Sequence, residues 1–222
     1  MGTTIQGTAA DGHTLAIYRA EPAGTARGAV VIVQEIFGVN SHIRGVCDDY
    51  AGQGYLAVAP ALFDRVERGV ELGYQPDDVA AGRAIREKVS LEQALADVEA
   101  AAREVAGAGR IGVVGYCWGG TVSWVAATRS RAFAAAVSYY GGGAPDLAGE
   151  QPNCPVQLHF GEQDHAIPLE GVEKLRAIHP ELPVYIYPAG HGFNCDQRGS
   201  YHAESARLAR ERTLAFLREH VG

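Results

Sequence analysis

The sequence predicts an α/β protein with a doubly wound, mostly parallel sheet and helices on both faces. Two observations carry this prediction. Short, mostly apolar runs recur along the chain, as in strands that are covered on both faces of a parallel sheet. Segments with helical spacing lie between these runs. No Ser/Pro-rich stretch, charge block or internal repeat interrupts the 222 residues, so we expect residues 1–222 to form one domain.

The first predicted elements are an antiparallel pair of strands, because apolar and polar residues alternate from the start of the chain to Tyr18. Continuous apolar runs then predict the buried strands, at residues 28–33, 55–59, 110–114, 134–138, 156–160 and 184–187. Ligands of such sheets bind beyond the carboxyl ends of the strands. Polar residues at those ends are therefore the candidates for a site.

The clearest helix is predicted before the strand at 110–114. Its apolar positions recur every three or four residues and share one helical face: Leu91, Leu95, Val98, Ala102 and Val105. Ser90 is a suitable N-cap, and Gly107 or Gly109 a suitable end. A second helix is predicted from about 201 to 219, where apolar residues lie among arginines and glutamates.

Composition excludes several classes of function. The net charge of −7 gives no general attraction to nucleic acid or to an anionic membrane. No stretch approaches the roughly 20 consecutive apolar residues of a membrane helix, and the N-terminus lacks the pattern of a secretory signal. We therefore expect a cytoplasmic protein. Its four widely separated cysteines should be free thiols there.

Cys117 lies in a glycine-rich segment, Gly115-Tyr116-Cys117-Trp118-Gly119-Gly120, between a predicted strand and a helical stretch at 121–127. A nucleophile in a strand-to-helix turn has a strained backbone and needs small neighbours, which Gly115 and Gly119 supply. The N-terminal end of the helix also favours a thiolate. A structural cysteine in a glycine-rich turn is the alternative interpretation.

Two further candidates follow later strands. Asp164 comes just after the strand at 156–160, and His191 follows the strand at 184–187. The order nucleophile, acid, histidine is that of α/β-hydrolases. In this interpretation His191 takes up and returns the thiol proton, and Asp164 fixes its tautomer. Taken singly, an Asp in a turn is usually a cap and a loop His is usually surface polarity.

Glu35 is the fourth candidate, at the end of the strand at 28–33, from where it would point into the crevice beside the nucleophile. An exposed loop acid is the alternative. The backbone N–H groups of Ile36 and Trp118 are the expected oxyanion hole. Such a donor is typically worth about 3–4 kcal/mol of barrier.

Together these segments resemble the dienelactone hydrolase (carboxymethylenebutenolidase) family. The matching pieces run in order between about residues 29 and 195: 34–38, 115–120, 139–141, 161–165 and 189–193. The resemblance implies an α/β-hydrolase fold and a Cys117-His191-Asp164 triad that hydrolyses a cyclic enol ester through an acyl-enzyme. It also implies that Glu35 contacts the thiol and helps to deprotonate it when substrate arrives. A monomer without metal or organic cofactor is expected on the same ground.

One feature departs from the family. Members hold the substrate carboxylate with two arginines, one of them shortly after the catalytic histidine. Cys195 stands at that position here, and Arg198 is the nearest arginine. The family's other arginine lies on the helix before the one predicted from Leu91 to Val105. Arg83 and Arg86 are present in that region here, but an ungapped comparison puts neither at the expected position. A displaced arginine does not automatically replace the geometry of an arginine–carboxylate fork.

Arg83 remains the candidate for substrate binding, together with three aromatic residues that would line the pocket: Phe37, Tyr140 and Phe193. Ordinary core aromatics are the alternative for each of the three. The remaining histidines, such as His42 and His165, lack metal-ligand spacing, so no metal is expected.

The sequence leaves three hypotheses. The first is a cysteine hydrolase of small lactones or enol esters, and the second is a broader carboxylesterase or thioesterase with the same triad. The third is a lapsed hydrolase fold that only binds a ligand. In each case the partner is a small molecule rather than nucleic acid or a membrane.

Overall fold

The computed structural model of the chain describes residues 2–222. Eight strands form one sheet in the order β1-β2-β4-β3-β5-β6-β7-β8. The strands are β1 (Thr3–Thr8), β2 (Thr14–Ala20), β3 (Ala29–Val33), β4 (Leu56–Pro60), β5 (Ile111–Tyr116), β6 (Ala135–Tyr139), β7 (Val156–Gly161) and β8 (Val184–Tyr187). All the predicted strands are confirmed, and the ends of the six buried strands differ from the prediction by at most two residues.

Pairing is antiparallel between β1 and β2 and between β2 and β4, and parallel for every other neighbour. The predicted antiparallel start and the mostly parallel sheet are therefore both confirmed. Every residue of β3, β4, β5, β6 and β7 is buried. Because successive side chains of a strand point to opposite faces, both faces of the sheet are covered.

Six α-helices provide that cover: α1 (Ser41–Gly52), α2 (Pro76–Arg86), α3 (Leu91–Glu104), α4 (Trp118–Arg129), α5 (Leu169–Ile178) and α6 (Ala203–His220). Helix α3 begins as predicted, with the Ser90 hydroxyl accepting a hydrogen bond from the Gln93 N–H at 3.2 Å. It ends at Glu104, earlier than either glycine, and a short 3₁₀ turn leads to Gly109, whose φ of 105° reverses the chain.

Helices α1 and α5 are not among the predicted elements. In α1 the buried residues include His42 and Cys47, so the apolar face is not continuous in the sequence. None of the helices in residues 2–222 combines the length and the apolar character that crossing a membrane requires.

The sheet brings the candidate residues to one edge. Glu35 follows β3, Cys117 follows β5, Asp164 follows β7 and His191 follows β8. These strands are parallel, so their carboxyl ends face the same side of the molecule.

Candidate active site

Cys117 lies at a sharp turn between β5 and α4, with φ of 56° and ψ of −118°. Few non-glycine residues adopt a positive φ, so this backbone is strained. A Cβ on Gly115 would overlap the carbonyl oxygen of Gly119, and a Cβ on Gly119 would overlap that of Val33. The two glycines therefore let the turn pass close to β3. The Cys117 N–H donates to the Tyr139 carbonyl at 3.0 Å and fixes the turn to β6.

Hydrogen bonds connect Cys117, His191 and Asp164. The Nε2 atom of His191 lies 3.1 Å from Cys117 Sγ, and its Nδ1 atom lies 2.7 Å from Asp164 Oδ2. The other oxygen of Asp164 accepts the Ala166 N–H at 2.9 Å. The structure thus brings the three predicted residues together in the predicted order of contact.

The electrostatics of this chain favour a charged imidazole. Burial alone disfavours the charge, but the Cys117 sulfur and the Asp164 carboxylate together raise the pKa of His191 to about 10. A charged imidazole beside the Cys117 sulfur can act as a general acid toward a departing group.

Two residues at the same cavity have backbone N–H groups without a hydrogen-bond partner in the described part of the chain. Trp118 is the first residue of α4, where an N–H has no acceptor within the helix, and Ile36 follows β3. The hydrogen bonds of residues 2–222 include none donated by either N–H. Both residues line the cavity that contains Cys117. Both N–H groups are therefore free for a developing oxyanion.

Glu35 is only 1% exposed, which excludes an exposed loop acid. Its Oε1 atom lies 2.9 Å from Arg198, and its Oε2 atom accepts a hydrogen bond from the Tyr74 hydroxyl at 3.3 Å. Glu35 is not among the residues that line the cavity with Cys117. In this structure the Glu35 carboxylate therefore pairs with Arg198 rather than with the thiol of Cys117.

Two aromatic rings hold Arg198 at the cavity in addition to the Glu35 carboxylate. Its guanidinium lies over the rings of Phe37 and Tyr74, at 5.6 and 5.8 Å from their centroids. A side chain on Gly192, whose φ is 77°, would crowd that guanidinium. Tyr74, which closes the group by donating to Glu35, was missed in the sequence because it precedes α2 without any motif.

The cavity has a volume of about 290 Å³, enough for a small molecule. Arg83 and Arg86 of α2 line it together with Arg198. Neither α2 arginine has an ion-pair partner among the described residues. Helix α2 approaches closely because Gly82, without a Cβ, touches the Ile36 carbonyl. The predicted Arg83 and the additional Arg86 thus lie at the cavity.

The three predicted aromatic residues are placed differently. Phe37 and Tyr140 line the cavity, and the Tyr140 ring lies 5.1 Å from that of His191. Phe193 does not line it, because it is fully buried behind Tyr140, 5.4 Å from that ring. Its placement is that of a core aromatic. The Tyr140 hydroxyl is buried and has no hydrogen-bond partner in the part of the chain that the structure describes.

Glu35 also belongs to a group that can hold a metal. Ligand atoms of Glu35, His42 and Cys195 all lie within 4.8 Å of one another, and all three residues are buried. Sequence spacing could not reveal this group, because the three residues come from different elements.

A strained cysteine turn after β5 and a hydrogen-bonded Asp–His pair after later strands of a mostly parallel sheet are typical of the class of the α/β-hydrolases. The model of the dienelactone hydrolase family matches residues 15–221, and the chain belongs to that family. It is thus a hydrolase of the carboxymethylenebutenolidase-like type.

Several relatives agree with this membership. The chain is 35% identical to the carboxymethylenebutenolidase of Pseudomonas putida over 219 residues, which cover 93% of this chain and 92% of that protein. It is 38% identical to a Synechocystis protein named "Putative carboxymethylenebutenolidase", with 86% of each chain covered. The crystal structure of a "Putative Dienelactone Hydrolase" from Klebsiella pneumoniae superposes with a TM-score of 0.83, at 33% identity. That match covers 98% of this chain and 100% of the other.

Proposed function

We propose that this hydrolase opens a small lactone or enol ester through a thioester acyl-enzyme formed on Cys117. The hydrogen-bonded chain from Cys117 Sγ through His191 to Asp164 is the observation that carries the proposal. It lies at a cavity of about 290 Å³ that is also lined by Ile36 and Trp118, whose N–H groups are the proposed oxyanion donors.

In the acylation step Cys117 Sγ attacks the ester carbonyl, and the N–H groups of Ile36 and Trp118 stabilise the oxyanion. When the intermediate collapses, the C–O bond breaks and His191 donates its proton to the departing oxygen. Asp164 stabilises the imidazolium before that transfer. The thioester remains on Cys117.

In the deacylation step His191, now neutral, takes a proton from water as the water attacks the thioester. The second oxyanion uses the same two donors. Collapse breaks the C–S bond, releases the carboxylic acid product and restores the Cys117–His191 pair.

Glu35 and Arg198 would connect substrate binding to this chemistry. A carboxylate on the substrate competes with Glu35 for the Arg198 guanidinium, which Glu35 now holds at 2.9 Å. Glu35 released in this way can assist activation of the thiol. The cavity charge agrees with an anionic substrate, since Arg83, Arg86 and Arg198 all line it.

A carboxylesterase or thioesterase of wider range is the second candidate. The apolar lining favours it, because Ile36, Phe37 and Ile167 would accept a neutral acyl group. A steady-state comparison of a dienelactone with neutral aryl esters separates the two. Under the lactonase proposal, Arg86→Met lowers kcat/KM at least ten-fold for the anionic lactone only. A strong preference of the wild type for neutral esters would overturn it.

The proposed acyl-enzyme can be detected by its mass. Acid quenching during turnover, followed by mass spectrometry, should show a covalent adduct on Cys117. Opening of a lactone keeps the departing oxygen in the acyl chain, so the adduct carries the whole mass of the lactone. A simple ester adds only its acyl part.

Iodoacetamide tests both the nucleophile and the lapsed-binder hypothesis. We expect fast, selective labelling of Cys117 with parallel loss of hydrolysis, and no turnover by Cys117→Ala. Cys154→Ala, which changes a thiol away from the cavity, is the matched control and should keep its activity. Faster labelling of another cysteine with surviving activity would contradict the mechanism.

A further inference from the structure

The group of Glu35, His42 and Cys195 lies beside the candidate active site but has no part in the proposed steps beyond Glu35. Glu35 follows β3, His42 lies in the first turn of α1, and Cys195 belongs to the segment after β8. Their ligand atoms lie within 4.8 Å of one another. Glu35 is 1%, His42 6% and Cys195 0% exposed.

His42 supplies a second, independent observation. Its Nε2 atom is buried and has no hydrogen-bond partner within residues 2–222. Its Nδ1 atom lies 3.4 Å from the Asp196 carboxylate, which favours the proton on Nδ1. The other nitrogen then keeps a free lone pair. Histidines that bind metals commonly have this arrangement, with a carboxylate at the ring nitrogen opposite the metal.

The chemical types of the three ligands indicate which metal ion the group would bind. A thiolate, an imidazole and a carboxylate suit Zn²⁺, whose bonds to these ligands are about 2.0–2.3 Å long. Tetrahedral coordination places ligand atoms roughly 3.5 Å apart, so the side chains need to move inward by about an ångström. A surface groove lined by His42, Asn194 and Asp196 gives the ion a route from solvent.

We propose that Glu35, His42 and Cys195 form a binding site for Zn²⁺, and that occupation of this site inhibits the hydrolase. Cys195 binds as a thiolate, so its proton leaves to solvent when the ion enters. Zn²⁺ takes the place of Arg198 as the counter-ion of Glu35. With Glu35 bound to the metal, it is no longer available to the thiol of Cys117; this effect on activity rests on the proposed function.

The experiment must avoid a competing pair of ligands, because Cys117 and His191 also offer sulfur and nitrogen. We therefore choose Cys117→Ser as the background and Co²⁺ as a spectroscopic probe of the Zn²⁺ site. Co²⁺ bound by a thiolate gives a sulfur-to-metal charge-transfer absorption in the near ultraviolet. We expect this band in Cys117→Ser and its disappearance when Zn²⁺ is added.

A second substitution in the Cys117→Ser variant identifies the residues that give rise to the absorption band. Cys195→Ala, Cys195→Ser and His42→Gln should each abolish it or weaken Co²⁺ binding at least ten-fold, whereas the control Cys154→Ala should leave it intact. Far-UV circular dichroism verifies that each variant is folded. Two substitutions of Cys195 are used so that the test still stands if one of them does not fold. Absence of the band in Cys117→Ser, or its persistence without the Cys195 thiol, overturns the site.

Inhibition is tested separately in chains that keep Cys117. Ester hydrolysis by the wild type should fall with added Zn²⁺ and recover with a chelator. His42→Gln should need at least ten-fold more Zn²⁺ for the same inhibition, and equal sensitivity would contradict the inhibitory role. Because the cobalt spectrum does not depend on turnover, failure of the proposed hydrolysis leaves the binding test intact.

Discussion

The guanidinium of Arg198 lies 2.9 Å from the carboxylate of Glu35, which is almost completely buried beneath the cavity that contains Cys117. The pair places opposite charges at the boundary between the core and this cavity. A buried charge without a partner is strongly unfavourable, so each member depends on the other. This dependence leads to the first prediction.

Arg198→Met should lower the free energy of unfolding by about 3 kcal/mol, because it leaves the Glu35 carboxylate buried and unpaired. Arg207→Met removes an exposed pair with Glu211 and should change it by less than about 1 kcal/mol. Urea unfolding of both variants measures the difference. Adding Glu35→Gln to Arg198→Met should recover part of the loss, and equal small losses in the two arginine variants would refute the argument.

The pH dependence of hydrolysis should reflect His191. Since the pKa of His191 is raised to about 10, the imidazolium persists at neutral pH and is lost as the pH rises through that value. Under the proposed mechanism the departing oxygen then has no proton donor, so kcat/KM should fall on the alkaline side near pH 10.

Asp164→Asn tests the cause of this shift. Loss of the Asp164 carboxylate removes a neighbouring negative charge, so the alkaline fall should move to lower pH by about one unit or more. Complete pH profiles of wild type and variant provide the comparison. An alkaline limb that stays in place would show that another group controls it.

Tyr140→Phe should separate catalysis from stability. The hydroxyl is buried without a partner in the described chain, so its removal should leave the free energy of unfolding unchanged or raise it by about 1 kcal/mol. If the hydroxyl donates to bound substrate, the same change lowers kcat/KM by roughly ten-fold or more. Phe37→Leu, at the same cavity, is the control for altered shape. Unchanged kinetics in Tyr140→Phe would exclude a hydrogen bond to substrate.

His159 should contribute to acid sensitivity. Burial, helped by the nearby Arg212 cation, lowers the pKa of His159 from 6.5 to about 3. Between these values the unfolded chain binds a proton that the folded chain does not, so stability falls as the pH falls. The slope is about 1.4 kcal/mol per pH unit.

Urea unfolding at two pH values measures this contribution. Between pH of about 6.5 and about 5, the wild type should lose roughly 2 kcal/mol more than His159→Gln. Comparing the losses removes the constant effect of the broken hydrogen bonds to Tyr187 and Gln157. His165→Gln, which removes an exposed imidazole, is the control. Equal losses in wild type and His159→Gln would contradict the prediction.

The strands and the order of the candidate residues could be predicted because each depends on residues that are close together in the sequence. Continuous apolar runs follow from burial on both faces, and Ser90 and Gly115 have conformational roles that act within a few residues. Helix α1 was missed because His42 and Cys47, both buried, interrupt its apolar face. Its burial depends on neighbours that are distant in sequence.

The surroundings of Glu35 could not be predicted for the same reason. Its partners Arg198 and Tyr74 lie 163 and 39 residues away along the chain, and neither belongs to a spacing motif. Recognising β3 from its apolar run was enough to predict that a carboxylate lies at the end of this strand. The ion pair of Glu35 with Arg198 could not be predicted, because it depends on how the segments before α2 and after β8 are arranged in the folded chain.

Strand β8 is one of the two outer strands of the sheet and pairs with β7 alone, and three of its four residues are only half-buried. Segments of this kind open at lower free energy than the core. His191 follows β8, whereas Cys117 and both tryptophans, Trp118 and Trp124, lie in or next to α4. Partial denaturation should therefore detach His191, the proposed general base, while Cys117 is still held in the core. Activity should disappear at a lower urea concentration than the change in tryptophan fluorescence, so the chain would become inactive before it becomes unfolded.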